Sequence, residues 1–271
     1  MIVFPNAKIN IGLSITSRRA DGFHNIETLM VPIKLADALE LTPADDGQSD
    51  FTFSGIPLDG DIESNLCVKA FRLMQKRYKL PETKIHLHKV IPVGAGLGGG
   101  SSDAAFTLKL LNRLYMLKIC NAELKEIAAG LGSDCPFFIE NTPSLATGRG
   151  EVLKNVKLDL KKFSIMLVKP EVSVSTVWAY SQVKPNGNGL IKNGKIPSDP
   201  SHWNDLLTND FEQPVFKAHP EIAAIKQNLL EMGADYAAMS GSGSAVYGLF
   251  DKLPDPDNRF DGMFVWGDKL A

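Results

Sequence analysis

Between Pro92 and Ala105 the chain reads PVGAGLGGGSSDAA, with an extended-looking run before it and a helical one after it. Gly94, Gly96, Gly98, Gly99 and Gly100 open backbone conformations closed to other residues, and without Cβ atoms they let the main chain come close to a ligand. Consecutive amides then converge on an anion, and a helix start adds unpaired N–H groups and the positive end of the helix dipole. The chemistry this predicts is phosphate binding by Gly94, Gly96, Leu97, Gly98, Gly99 and Gly100. The Ser101 and Ser102 hydroxyls stand ready for phosphate or magnesium. A flexible linker of the same composition has little reason to sit between a strand and a strongly periodic helix. The GxxxxGK[ST] pattern is absent. Gly94, Gly96 and Gly99 match GxGxxG numerically, yet no later acidic residue is placed for a ribose, so the dinucleotide reading is set aside. Asp103 puts a negative charge beside the anion, and its expected role is structural: capping the helix, fixing the loop, or reaching magnesium through water.

Other residues of chemical interest are scattered. Lys8 and Asn10 alternate with Ala7, Ile9, Ile11, Leu13 and Ile15, so a two-residue strand period sets them side by side and away from the apolar face. Asp134 follows two glycines in GLGSDCPFF, at a helix exit. Taken singly, Lys8 is a solvent lysine and Asp134 a helix cap or turn residue. His86 and His88 share one face of TKIHLHKVI, but with no third ligand they make no metal site. SGSGSAVYGLF, with Gly241, Ser242 and Gly243, reads as a turn entering a strand.

The elements that must position these residues follow from pattern. The N-terminal stretch and ETLMVPIKL read as strands, with an Asp-Gly turn signal between them. Ser64 is placed to cap a helix through NLCVKAFRLMQKRYKL. Ala105, Leu108, Leu111 and Leu114 give the helix after the glycines a buried face. A shorter helix, NAELKEIAAGL, ends at Gly132. In the second half FSIMLVKP is a strand, the glycine- and proline-rich run from Lys184 to Pro200 an exposed loop, and HPEIAAIKQNLLEMG a helix between Pro220 and Gly233. SGSGSAVYGLF and GMFVWGD complete the strand candidates. The pattern is α+β, in two parts with a boundary at residues 155/156.

Bulk composition excludes several classes. At 271 residues and 44% hydrophobic the chain can bury a substantial core. A net charge of -2 and a pI near 6.2 give no long-range pull toward nucleic acid or an anionic membrane. Cys67, Cys120 and Cys135 fit neither a disulfide framework nor a zinc ribbon. No basic leader with a cleavage site and no long apolar run is present, so the cytoplasm is the expected location. Oligomeric state is not legible.

PVGAGLGGGSSDAA resembles the phosphate-binding motif of the small-metabolite kinases that include galactokinase, homoserine kinase, mevalonate kinase and phosphomevalonate kinase. PNAKINIGLSITSRRADGFHNIETL, GLGSDCPFF, and TGRGE with MSGSGSAVYG narrow the resemblance to the branch whose acceptor is a cytidine-diphosphate-linked methylerythritol, in the non-mevalonate route to isoprenoid precursors. The resemblance implies a two-domain fold with an active-site cleft, residues 1–155 carrying ATP and catalysis and residues 156–271 closing the substrate side. It implies ATP and magnesium as cofactors and a small-molecule acceptor, with no nucleic acid or membrane partner. It carries the catalytic pair onto Lys8 and Asp134. It places Asn10, Phe23 and His24 at the cytidine end, Phe23 standing where relatives commonly have tyrosine, so the stacking surface is kept and the hydroxyl lost. Gly241, Ser242 and Gly243 fall near the substrate phosphates or acceptor end, and Asn65 on the adenine side, with helix capping as its competing role. Arg149 in TGRGE is expected to face the cleft or form a structural ion pair. An ordinary aspartate, with a pKa of about 4, cannot deprotonate an alcohol in the ground state, so the proton should leave late, and base and orienter both stay open for Asp134. Two other readings share the phosphate loop: a kinase for another small alcohol, and a noncatalytic nucleotide sensor.

Overall fold

The computed structural model describes residues 1–58, 60–185, 187–190, 196 and 200–270, with the side chain of residue 201 left aside. In chain order the elements are β1 Ile2–Val3, β2 Asn6–Arg18, β3 His24–Ala36, β4 Ala38–Pro43, β5 Asp50–Gly55, α1 Leu66–Tyr78, β6 Thr83–Lys89, α2 Gly99–Leu114, α3 Asn121–Ala129 and α4 Cys135–Glu140. There follow β7 Ser144–Thr147, β8 Val152–Asn155, β9 Ser164–Lys169, α5 Thr176–Gln182, α6 Trp203–Leu206, α7 Glu212–Ala218, α8 Pro220–Glu231, β10 Tyr236–Met239, β11 Val246–Phe250 and β12 Phe264–Lys269. The α+β class expected from the pattern is the class observed.

Contacts divide the chain into two interleaved units. One comprises Met1–Ala7, Leu35–Val93 and Gly98–Thr142; the other comprises Lys8–Lys34, Gly94–Leu97 and Pro143–Ala271. A single cut at 155/156 is therefore a division of the sequence, and the compact units cross it.

The first unit holds a sheet in the order β1-β4-β6-β5, with β4 and β6 antiparallel and β5 and β6 parallel. Register sets Leu39 opposite Leu87 and Leu41 opposite Ile85, and all four are buried. α1 buries Cys67, Val68, Ala70, Phe71 and Met74; of the helical spacing Leu66, Ala70, Leu73 and Met74, only Ala70 and Met74 are buried, and Leu73 is 38% exposed. Its cap is Asn65, whose side chain accepts from the Cys67 N–H at 2.8 Å. The expected cap, Ser64, instead ends a preceding 3-10 turn. α3 stops at Ala129 with Gly130 as its C-cap, earlier than the Gly132 expected. Cys67 and Cys135 are buried and Cys120 is exposed.

The second unit holds two sheets, β2-β3-β7-β8 and β10-β11-β9-β12, with α5 to α8. Pro220 opens α8 at its first position, and Gly233, at φ +93°, follows its end. The core joins Leu13, Ile15 and Ile26 to Met166, Val168, Phe211, Ile222, Ile225, Leu229 and Val246.

β2 departs from its expected half-buried character. Lys8 and Asn10 are each only 3% exposed, because the Gly94–Leu97 segment and the turn after β10 cover the polar face. Most of the expected exposed loop from Lys184 to Pro200 lies outside the described residues. Leu190 within it is buried, 7% exposed, where a Cβ on Gly12 would collide with it.

Candidate active site

α2 begins on Gly98, in the left-handed conformation at φ +69°, with no side-chain cap. The N–H groups of its first turn, Gly99, Gly100 and Ser101, therefore have no partner inside the helix and point past its start. Gly94, at φ +63°, has open space where a Cβ would stand. Those are the glycines that suit an anion. Gly96 and Gly99 serve packing: a Cβ on Gly96 would run into the Ser240 carbonyl oxygen, and one on Gly99 would lie 2.9 Å from Lys89 Nζ and 3.0 Å from Ile91 Cγ2.

The serines beside them differ. Ser101 stays partly exposed and hydrogen-bonds the Cys135 thiol, which burial pushes up to about 11. Ser102 is fully buried, and its Oγ has no partner among the described residues. Asp103 does not cap the helix. Its Oδ2 takes a 2.8 Å bond from Lys89 Nζ, which also pairs with Asp37 Oδ2, while Asp37 Oδ1 accepts from Val90 N at 2.6 Å and Ile91 N at 2.8 Å. Two buried carboxylates thus share one ammonium. Burial outweighs the pull of Lys89, and Asp37 adds repulsion, so Asp103 is pushed up to about 8. Lys89 is raised by its two carboxylates despite its burial.

Elsewhere in this unit Asp134 occupies the N-cap position of α4, with φ −85° and ψ −14°, and does not cap through its side chain. Asn65 uses its Oδ1 as the α1 cap described above.

In the second unit Lys8 Nζ donates to Asn10 Oδ1 and, at 3.0 Å, to the Gly96 carbonyl. Asn10 Nδ2 donates to Thr28 Oγ1 at 3.1 Å. Ser240 Oγ accepts from Asn10 N at 3.2 Å and donates to Gly96 O at 2.9 Å. Gly241 and Gly243 take φ +57° and +88° in the turn between β10 and β11, and a Cβ on Gly241 would stand 3.3 Å from Asn10 Oδ1. Ser242 Oγ lies 2.9 Å from Thr176 Oγ1. Lys8, Asn10, Gly96 and the 241–243 turn, distant in sequence, are brought together.

Phe23 is 54% exposed, with the Arg149 guanidinium 5.1 Å from its ring centroid. Arg149 Nε also lies 3.6 Å from Glu151 Oε1, the structural ion pair allowed for it. His24 stacks on Tyr180 with centroids 5.0 Å apart and planes at 20°. Burial, helped by the Arg18 charge, lowers the His24 pKa, which favours the neutral ring with one donor and one acceptor nitrogen.

Residues 65–141 match the model of the GHMP kinases N terminal domain, and residues 193–263 that of the GHMP kinases C terminal domain. A 4-diphosphocytidyl-2-C-methyl-D-erythritol kinase of Parabacteroides distasonis is 50% identical, over the whole of both chains. The chain belongs to this family of GHMP kinases. A crystal structure of 4-(cytidine 5'-diphospho)-2C-methyl-D-erythritol kinase superposes with a TM-score of 0.80 at 32% identity, covering 100% of this chain and 99% of the other. Mevalonate kinase of Methanococcus jannaschii shares the fold, with a TM-score of 0.75, 13% identity and coverage of 100% and 98%.

Several residues of this GHMP kinase escape sequence reasoning. Lys89 continues the buried phase of Ile85 and Leu87 in β6, a signal that was present, but its partner Asp37 is far away in sequence. Ser240, Asn209, Thr28 and Tyr180 have no spacing signal at all, because their roles depend on strands and turns meeting in space.

Proposed function

We propose that this chain transfers the γ-phosphoryl group of ATP to a hydroxyl of 4-diphosphocytidyl-2-C-methyl-D-erythritol, giving the 2-phosphate and ADP in the non-mevalonate route to isoprenoid precursors. The observation that carries this is the end-to-end 50% identity with a relative bearing that name. The acceptor oxygen forms its bond to phosphorus as the bond from phosphorus to the β-phosphate oxygen breaks, and ADP leaves with that electron pair. The acceptor proton passes to the Asp134 carboxylate once the forming bond has made it acidic, and the Lys8 ammonium offsets the charge developing on the transferred group. The resemblance of AKIN and GSDCPFF to the family motifs supports this pairing.

The nucleotide phosphates are assigned to the uncapped first turn of α2 and to Gly94, Gly96, Leu97, Gly98, Gly99, Gly100, Ser101 and Ser102. The uncapped amides and the unpartnered Ser102 Oγ fit an oxyanion ligand. Magnesium, when bound with the nucleotide, neutralises and orients the polyphosphate. Among the described residues there is no cluster of three His, Cys, Asp or Glu side chains; the Ser101 and Ser102 hydroxyls would be the protein oxygens to hold the ion beside the nucleotide. Asn65 is kept on the adenine side, with its amide nitrogen available while Oδ1 caps α1. Asn10, Phe23 and His24 are assigned to the cytidine end, and Gly241, Ser242 and Gly243 to the substrate phosphates or acceptor end. The residue 1–155 and 156–271 parts are retained as the ATP-carrying and substrate-closing halves. The cytoplasm is kept as the setting; no described helix is long and apolar enough to cross a membrane.

The test is ADP release with magnesium-ATP and the cytidylated acceptor, beside mevalonate, homoserine and the uncytidylated sugar phosphate. Selective turnover that falls at least about a hundredfold in Asp134→Asn, with both KM values little changed, is expected of a group acting in the transition state. Turnover of another acceptor sinks the substrate assignment. Nucleotide binding without turnover of any acceptor supports a sensor instead.

A further inference from the structure

We propose that Ser240, held in place by Asn209, is a positioning residue for the Lys8 ammonium. The inference rests on the reading that Lys8 acts on the transferred phosphoryl group. Asn10 Oδ1 and Gly96 O both accept from Lys8 Nζ, and Ser240 binds the residues that carry them. Its hydroxyl donates to Gly96 O at 2.9 Å, the same carbonyl that Lys8 meets at 3.0 Å, and accepts from the Asn10 backbone N–H at 3.2 Å. Donor and acceptor of one fully buried hydroxyl are thereby both committed, so rotating it away leaves a buried amide and a carbonyl short of a partner.

Ser240 is in turn pinned from its own chain. Its N–H donates to Ala245 O at 2.9 Å. Asn209, 4% exposed, donates through Nδ2 to the two carbonyls that flank Ser240, Met239 O and Gly241 O, each at 2.8 Å. Asn209 Oδ1 accepts from Phe211 N at 3.0 Å. Both Nδ2 hydrogens and the carbonyl oxygen are spent on backbone, which marks Asn209 as a brace rather than a ligand contact. Gly96 completes the fit, since any side chain there would collide with Ser240 O. The need for such bracing lies in lysine itself: a four-carbon stem with free rotation leaves the charge poorly placed unless its acceptors are fixed.

The test compares wild type, Ser240→Ala, Lys8→Met and the double variant, as full-length proteins well below their melting temperatures, by kcat and by KM for ATP and for the cytidylated acceptor. Ser240→Ala is expected to lower kcat about tenfold to a hundredfold with both KM values within about threefold, the size of effect that misplacing a catalytic group by an ångström or less produces. In the Lys8→Met background the same change should alter residual turnover by less than about twofold, because the group it positions is gone. Equal losses in both backgrounds, or an unchanged kcat in Ser240→Ala, overturn the inference while leaving the role of Lys8 intact. Wild-type turnover in Lys8→Met overturns that role, and the inference with it. Ser240→Cys, which keeps the shape and weakens the donor, must show the same dependence on Lys8; it is the decisive variant if the alanine form does not fold.

Discussion

The Phe23 ring is 54% exposed. The Arg149 guanidinium lies over the ring at 5.1 Å and leaves stacking surface for a flat base. If Phe23 stacks on cytosine, Phe23→Ala should raise KM for the cytidylated acceptor up to about tenfold, the upper end of an aromatic pair, and leave KM for ATP unchanged. Steady-state kinetics with each substrate varied in turn checks this, and an equal change in both KM values counts against base stacking. The substitution should leave the melting temperature nearly unaltered, since an exposed ring contributes little burial. Lys8 is the opposite case. Nothing in the spacing of AKIN distinguishes a lysine facing water from one held against a carbonyl.

At the level of elements, the start of α2 decides most. The glycines at and before it serve two different ends, uncapped first-turn amides after Gly98 and close packing at Gly96 and Gly99. The Lys89–Asp37–Asp103 cluster fastens that start to the end of β6. Because Asp103 is raised to about 8, the folded chain holds a proton there, between about pH 4 and 8, that the unfolded chain releases. Its contribution to stability therefore falls as pH rises through that window. Lys89, raised from its usual value, loses its contribution only at higher pH, so the two effects separate. Thermal melts of wild type and Asp103→Asn from pH 5 to 9 should show the variant gaining on wild type as pH rises. A constant difference would mean that Asp103 is ionised throughout.

Across the whole chain, the second unit borrows its N-terminal strands from the first half of the sequence. Leu13, Ile15 and Ile26 are members of its apolar core. Leu13 N donates to Thr208 O at 2.9 Å, Asp210 N to Leu13 O at 2.8 Å, and Ile15 N to Asp210 Oδ2 at 2.7 Å. A fragment of residues 156–271 loses those apolar contacts and leaves backbone groups at Thr208 and Asp210 without partners. It should show no cooperative melt by circular dichroism, while co-expression with residues 1–155 should restore one. A fragment that melts cooperatively alone would show that the half is an autonomous domain after all.

From sequence alone come the α+β class, the strand–glycine–helix motif, the helices α1 and α8, the buried face of α2, and the family, because each is carried by local spacing or by residues adjacent in the chain. The buried state of Lys8 and Asn10, the cap at Asn65 rather than Ser64, the Asp37–Lys89–Asp103 cluster and the Ser240–Asn209 brace were decided only in three dimensions. Burial of a polar side chain depends on what covers it. For Asn10 that cover is a turn at Ser240, and no periodicity within a strand records the arrival of a segment from the far end of the chain.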